Sequence, residues 1–108
     1  MNTVSVGSTQ TWVNSTDVLS TTLEIVLLKK TIVLHWGQFI YAEGSDDEVH
    51  LAFGSHDVVV RGAGLLALLA DVREQHVASI YEPTRTDRFL VRGECFIREI
   101  EVRRIDVS

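Results

Sequence analysis

The sequence contains a single cysteine and a single proline among its 108 residues. One cysteine excludes an internal disulfide, which fits a protein of a reducing compartment. Long hydrophobic runs are also missing: the longest, Ile25–Leu28 and Leu65–Ala70, are far too short to cross a bilayer, so we expect no membrane partner. Basic residues are few, ten against fifteen acidic ones, and the formal charge of −5 disfavours binding to nucleic acid.

The residues that are present describe a small folded protein. Its length suits one domain, and a hydrophobic content of 45% favours globular structure over disorder. Residues 1–20, rich in Ser, Thr and Asn, predict an N-terminal arm or an irregular edge strand, and residues 21–108 predict a single β-rich domain. The first ten residues have neither a basic start nor an apolar centre, so we expect no secretory signal and a cytoplasmic location.

Segments rich in β-branched and aromatic residues follow one another from residue 22 onward. Residues 22–28 and 31–36 predict either a hairpin or one long strand. Residues 38–42 predict the next strand, and the polar stretch EGSDD at 43–47 predicts a turn. Short connections of this kind favour antiparallel pairing.

The clearest local prediction is a hairpin over residues 48–61. Gly54-Ser55 is a two-residue turn between two stretches of alternating apolar and polar residues. The register that puts all the apolar residues on one face also places a glutamate opposite an arginine on the other face. In that register the opposed pairs are Glu48 and Arg61, Val49 and Val60, His50 and Val59, Leu51 and Val58, Ala52 and Asp57, and Phe53 and His56.

A helix is predicted over residues 65–76, because leucines and Val72 recur there at helical spacing. Strands are predicted after it at 77–82, 89–92 and 95–105, the last with Ile97 on the same parity as charged residues. The element order is therefore β-β-β-β-α-β-β-β, a β-rich α+β fold with one packed helix. One helix covers little of a sheet, so we expect a mostly antiparallel sheet that curls or closes into a small barrel, or packs against another copy.

The stretch VVVRGAGLLALLADV resembles the glycine-rich turn that holds a dinucleotide pyrophosphate at a helix N-terminus. Gly62 and Gly64 follow a strand, a helical pattern comes next, and the acidic Glu82 lies 20 positions after Gly62. The preceding strands look antiparallel, however, and no second βαβ unit is present. A strand-to-helix turn explains the glycines, and we expect no cofactor.

Other candidate sites are weak in the sequence. His50 and His56 have a metal-ligand spacing, but the hairpin register puts them on opposite faces, so we expect no metal site. Contiguous Ser55, His56 and Asp57 cannot form a catalytic relay, so we expect no catalytic residue there. Cys95 has no neighbouring cation in the sequence and is predicted to be buried or inert.

The best remaining candidates for ligand or partner contact are charged residues around the loop at 82–88 and one tryptophan. Arginines in such a loop can bind carboxylates or phosphates, and a continuous sheet would bring the end of the preceding hairpin near it. Trp12 lies in the polar N-terminal segment and needs an apolar surface, on its own chain or on a sister subunit. The predicted contact residues are Arg61, Glu82, Arg85, Asp87, Arg88 and Trp12.

These observations favour a non-enzymatic binding or assembly module that forms homo-oligomers. No catalytic constellation is present, and the apolar strands exceed what one helix can cover. The alternative is a small-molecule or nucleotide-binding protein that uses the 62–67 glycine turn or the 82–88 loop. Nucleic-acid binding through arginines on an acidic body is a third, less favoured interpretation.

Overall fold

The computed structural model describes residues 12–14, 21–84 and 95–105, which form strands, one α-helix and a single turn of 3₁₀-helix. The helices are α1 (Leu66–Arg73) and the 3₁₀ turn Trp36–Gln38. The strands are β1 (Trp12–Asn14), β2 (Thr22–Val26), β3 (Thr31–His35), β4 (Phe39–Gly44), β5 (Glu48–Phe53), β6 (His56–Ala63), β7 (Val77–Tyr81) and β8 (Phe96–Arg104).

The strands form two four-stranded sheets, ordered β1-β7-β2-β3 and β4-β5-β6-β8. Every neighbouring pair is antiparallel except β2 and β7, which run parallel. The β-rich, mostly antiparallel α+β fold predicted from the sequence is confirmed, but the sheets formed by the described residues do not close into a barrel. The 3₁₀ turn Trp36–Gln38 separates β3 from β4 and carries the chain from one sheet to the other.

The described part of the chain has more strands before the helix than the predicted order has. Of the two alternatives for residues 22–36, the hairpin is confirmed, because β2 and β3 pair antiparallel; five strands therefore lie between residue 22 and α1, with β1 before them. The turn is closed by the Leu27 amide, which donates to the Lys30 carbonyl at 2.8 Å. The strand predicted at 89–92 lies outside the described residues.

The predicted β5–β6 register is confirmed from Glu48–Arg61 through Ala52–Asp57. The apolar face is buried, since Val49, Val58 and Val60 are 0% exposed. The alternation of apolar and polar residues on the two strands therefore predicted both the register of the pair and the face that packs on the core.

The last strand departs from the predicted alternation. The β6–β8 register shifts between Arg61 and Gly62, so that Arg61 is opposite Glu99 and Gly62 is opposite Ile97. This irregularity turns Ile97 into the core, where it is 2% exposed, although its parity predicted a position beside charged residues. Gly62 is required here, because a Cβ would overlap the Phe96 carbonyl oxygen.

Helix α1 is shorter than predicted and buries only part of the predicted face, because Leu69 is half-buried. Leu65, Leu68 and Val72 are nearly inaccessible, whereas Leu66 keeps 54% of its surface exposed. The helix packs on the hydrophobic core that the two sheets share. Within the described residues, no helix has the length and hydrophobicity needed to cross a bilayer.

Candidate functional site

The glycine turn before α1 has its amides bonded within the chain. The Gly62 amide donates to the Asp47 carbonyl at 3.1 Å, and the Leu65 amide donates to the Asp46 carbonyl at 2.8 Å. The Leu66 amide donates to the Asp46 carboxylate at 3.3 Å. A carboxylate thus lies at the helix N-terminus, where a pyrophosphate would have to bind, and it would repel that group. The geometry disfavours a nucleotide at this turn.

Glu82 closes the end of the parallel β2–β7 pair. Its amide donates to the Val26 carbonyl at 2.8 Å, and its side-chain oxygen accepts from the Leu28 amide at 3.0 Å. The first contact continues the backbone pairing of β7 with β2, and the second joins the Glu82 side chain to the residues that follow β2. The carboxylate therefore has a structural contact of its own, and it belongs to a different sheet from Gly62.

Arg61 lies on the outer face of the second sheet among glutamates from both neighbouring strands. Its Nη1 is 2.8 Å from Glu99 and 3.4 Å from Glu101, and its Nε is 3.4 Å from Glu48. The hydrogen bond to Glu99 raises the pKa of the Arg61 guanidinium above its ordinary value, with further attraction from the other two carboxylates. Arg61 is thus already paired, and an external anion would meet three carboxylates around it.

Trp12 docks on its own chain. Strand β1 pairs with β7, Trp12 lies opposite Ile80, and the half-buried ring packs against the core. Its indole Nε1 donates to Asp71 Oδ2 on α1 at 3.0 Å. The side chain thus has both an apolar surface and a hydrogen-bond acceptor within the same chain.

The predicted contact residues do not form one described site. Arg85, Asp87 and Arg88 lie outside the described residues. Arg61 lies in β6 and Glu82 follows β7, so within the described residues the two belong to different sheets and no continuous sheet brings them together. Whether any of these residues contacts a ligand stays a prediction.

The side chains of His50 and His56 contact different partners, as expected from their positions on opposite faces of the hairpin. His50 Nε2 is 3.2 Å from Asp57 Oδ1, and its Nδ1 is 3.9 Å from Glu43. His56 Nδ1 is instead 2.8 Å from Ser55 Oγ. The aspartate that follows His56 therefore contacts another histidine.

Across 12–14, 21–84 and 95–105, no three His, Cys, Asp or Glu side chains converge to hold a metal ion. Cys95 is exposed, so the first of the two alternatives, a buried thiol, is wrong, and an inert thiol stays a prediction. It directly precedes β8, outside the strand that would have covered it.

A concave apolar surface lies between helix α1 and edge strand β4, and we call it the α1–β4 groove. Its volume is about 550 Å³. This size falls within the range of cavities that hold small organic molecules. Its lining residues are Trp36, Phe39, Ala42, Leu66, Leu69, Ala70, Val72, Arg73 and Gln75.

Edge-to-face and tilted contacts between aromatic rings hold one wall of the groove in place. The Trp36 ring lies 5.2 Å from Phe39 and 5.5 Å from Phe53, and its Nε1 donates to the Val77 carbonyl at 3.1 Å. Because its polar atom is already bonded to the backbone, Trp36 contributes only apolar surface to an occupant. The wall is therefore preorganised rather than assembled on binding.

The polar side chains of the groove are those of Arg73 and Gln75, at the C-terminal end of α1. The Arg73 guanidinium is largely exposed and lies 3.6 Å from the Glu74 carboxylate. An ion pair on the surface contributes little to stability, because both groups are readily solvated. Gln75 adopts a left-handed conformation with φ of 58°, which positions it just after the helix. The groove thus combines an apolar interior with one cationic donor at its rim.

Sequence reasoning missed this groove, although one signal was available. The helix has leucines at 65, 66, 68 and 69, more than a single buried stripe requires. Leu66 and Leu69 flank that stripe, and they line the groove. The packing of α1 against β4 determines where the additional apolar surface of the helix lies. No local sequence pattern predicts that packing.

Comparison with known protein families, with characterised proteins and with solved structures gave no match for this chain.

Proposed function

We propose that the protein is a non-enzymatic binding and assembly module that holds a small, mostly apolar molecule with a carboxylate end in the α1–β4 groove. The observation that carries the proposal is the groove itself: a preformed apolar concavity with very few polar groups, all at one end. Most small-molecule sites have this composition, and it distinguishes them from the polar remainder of a protein surface.

One feature supports the carboxylate end. Arg73 offers several N–H donors, and guanidinium is the side-chain group best suited to bind a carboxylate. The apolar lining supplies the affinity for the rest of the molecule, since burying apolar surface contributes roughly 25 cal/mol per Å². A cytoplasmic location belongs to the same proposal and rests on composition, because one free, exposed thiol suits a reducing compartment.

Octanoate tests the proposal, with octanol and octylamine as comparators of equal chain length. We expect saturable binding by isothermal calorimetry, and a rise in melting temperature, in the order octanoate, octanol, octylamine. Leu66→Asp should weaken octanoate binding by about tenfold or more, because it introduces a like charge and removes roughly 1.5 kcal/mol of apolar contact. Leu28→Asp is the matched control, since Leu28 and Leu66 are both 54% exposed and only Leu66 lines the groove.

The role of the rim cation has its own control. Arg73→Gln should remove the preference for octanoate over octanol, whereas Arg103→Gln, at a similarly exposed arginine outside the groove, should preserve it. Absence of saturable octanoate binding, or equal loss in Leu66→Asp and Leu28→Asp, would show that the groove is not the binding site.

A further inference from the structure

In the described part of the chain, strand β3 pairs with β2 along one edge, and its other edge is unpaired. Its hydrogen bonds to β2 use every second residue: the Lys30 carbonyl accepts from Leu27, and the Trp36 amide donates to Thr21. In an antiparallel pair, this alternation directs the backbone groups of Ile32 and Leu34 toward β2. The N–H and C=O groups of the intervening residues, Thr31, Val33 and His35, therefore point away from the sheet, and no described strand pairs with them.

The other sheet edges that the structure describes carry features that discourage pairing with another chain. Strand β4 has a register irregularity between Phe39 and Tyr41, and β1 has three residues and a shift between Val13 and Asn14. Strand β8 carries charged side chains along its length, such as Arg103. Interruptions and charges of these kinds keep natural sheet edges from associating.

Strand β3 has none of these features. Its five residues, TIVLH, pair with β2 in an uninterrupted register and include no lysine, arginine, aspartate, glutamate or proline. Its central residue, Val33, is 54% exposed, which is unusual for a β-branched residue in the middle of a regular strand. A regular, uncharged edge with an exposed apolar centre is suited to pairing with another strand.

We propose that this edge binds the β3 strand of a second copy, forming a twofold-symmetric dimer with a continuous antiparallel sheet. The pairing is centred on Val33, which lies opposite the partner's Val33, and Thr31 lies opposite the partner's His35. These are the residues whose N–H and C=O groups face outward, so each of the opposed pairs exchanges hydrogen bonds in both directions. The apolar contact of the two valines is added to that ladder.

The charges next to β3 favour this particular occupant. In a pairing centred on Val33, Lys30 lies opposite the partner's Trp36 and Lys29 lies opposite the partner's Gly37. The lysines of the two copies are therefore not opposed, and no like charges meet across the ladder. A self-complementary surface of this kind needs a twofold axis and no second protein.

The proposed dimer is the assembly part of the proposed function and rests on that proposal. It does not depend on the α1–β4 groove. No residue of β3 lines the α1–β4 groove. A monomeric variant should therefore still bind octanoate, and a protein that fails to bind octanoate could still dimerise. The two proposals can fail separately.

Val33→Pro is the decisive variant, because the Val33 amide faces outward and its loss leaves the β2–β3 ladder complete. We expect the wild type to show twice the mass of one chain by light scattering, and Val33→Pro to show the mass of one chain with an unchanged circular dichroism spectrum. Val33→Lys should have the same effect if the proline disturbs folding. Val33→Thr should stay dimeric, as should Ile40→Lys, which places the same charge on the exposed β4 edge.

Hydrogen exchange provides the second readout. The amides of Thr31, Val33 and His35 should be protected in the wild type and exchange rapidly in Val33→Lys, while those of Ile32 and Leu34 stay protected in both. A wild type that is monomeric at all accessible concentrations overturns the proposal. So does a dimer whose mass is unchanged by both Val33→Pro and Val33→Lys.

Discussion

At the residue scale, one hydrogen bond joins the N-terminal strand to the helix. Trp12 Nε1 donates to Asp71 Oδ2 at 3.0 Å, and the indole is only half-buried. The bond links β1, a strand of three residues, to the face of α1. Its removal tests how firmly the N-terminal segment is attached to the rest of the fold.

We predict that Trp12→Phe lowers the free energy of unfolding by about 1 kcal/mol, since phenylalanine keeps most of the apolar contact and loses the donor. Urea denaturation of Trp12→Phe, Asp71→Asn and the double variant gives the coupling between the two side chains. A coupling energy near zero would mean that the bond contributes nothing to stability, and that β1 is held by its pairing with β7 and by the packing of the ring.

At the element scale, Gly62 and Gly37 differ in whether the surrounding backbone leaves room for a side chain. A Cβ at Gly62 would overlap the Phe96 carbonyl oxygen and lie 2.9 Å from Ile97 Cα, whereas a Cβ at Gly37 meets nothing within 4 Å. Both are glycines in regular elements, and neither has positive φ. The difference between them lies only in how closely a neighbouring strand approaches.

We predict that Gly62→Ala destabilises the protein by about 3 kcal/mol, because β6 and β8 must separate to admit the methyl group. Gly37→Ala, the matched control, should lie within about 1 kcal/mol of the wild type. Thermal and urea unfolding of the two variants checks this. Equal stability of the two would indicate that the β6–β8 irregularity relaxes at no cost.

The end of helix α1 carries a second conformational constraint. Gln75 is the non-glycine residue with positive φ in the described chain, and left-handed backbone costs about 1 kcal/mol for a residue with a Cβ. Gln75→Gly should therefore raise the free energy of unfolding by about 1 kcal/mol, and Gln75→Asn by less. Denaturant titration measures the gain, and a loss of stability in Gln75→Gly would show that contacts of the side chain outweigh the strain.

At the scale of the whole molecule, the sequence predicted what is local and missed what depends on pairing between distant segments. The β5–β6 register followed from alternation and a two-residue turn, and the buried face of α1 followed from its periodicity. The division into two sheets did not, because the 3₁₀ turn at Trp36–Gln38 has no strong signature and looks like a bend within one meander. The parallel neighbours β2 and β7 are 50 residues apart and share no local pattern.

The same limit explains the outcome for the candidate site. Glu48 was recognised as a partner of Arg61 because both belong to one hairpin, whereas Glu99 and Glu101 come from β8 and were not recognised. The sequence alone predicts Arg61 as a contact for an anion. In the fold, its guanidinium pairs with carboxylates from both neighbouring strands. The groove was missed for the same reason, since its walls come from a helix and a strand that are not adjacent in sequence.

The aromatic cluster that joins the two sheets tests whether they unfold together. Phe53 is fully buried on β5, and its ring lies 5.5 Å from both Phe39 and Trp36, the residue at the sheet crossover. Phe53→Ala should lower the free energy of unfolding by about 3–5 kcal/mol through the cavity it leaves. Because the two sheets share one core, we expect the loss to appear in a single transition.

The two tryptophans of the chain make this measurable. In a Trp12→Phe background, Trp36 is the remaining indole, so its fluorescence reports the crossover while far-ultraviolet circular dichroism reports all strands. Coincident midpoints in the wild-type and Phe53→Ala versions of that background would establish one cooperative unit. If Phe53→Ala instead shifts only the fluorescence midpoint and leaves the dichroism midpoint in place, the crossover unfolds locally, separately from the strands of both sheets.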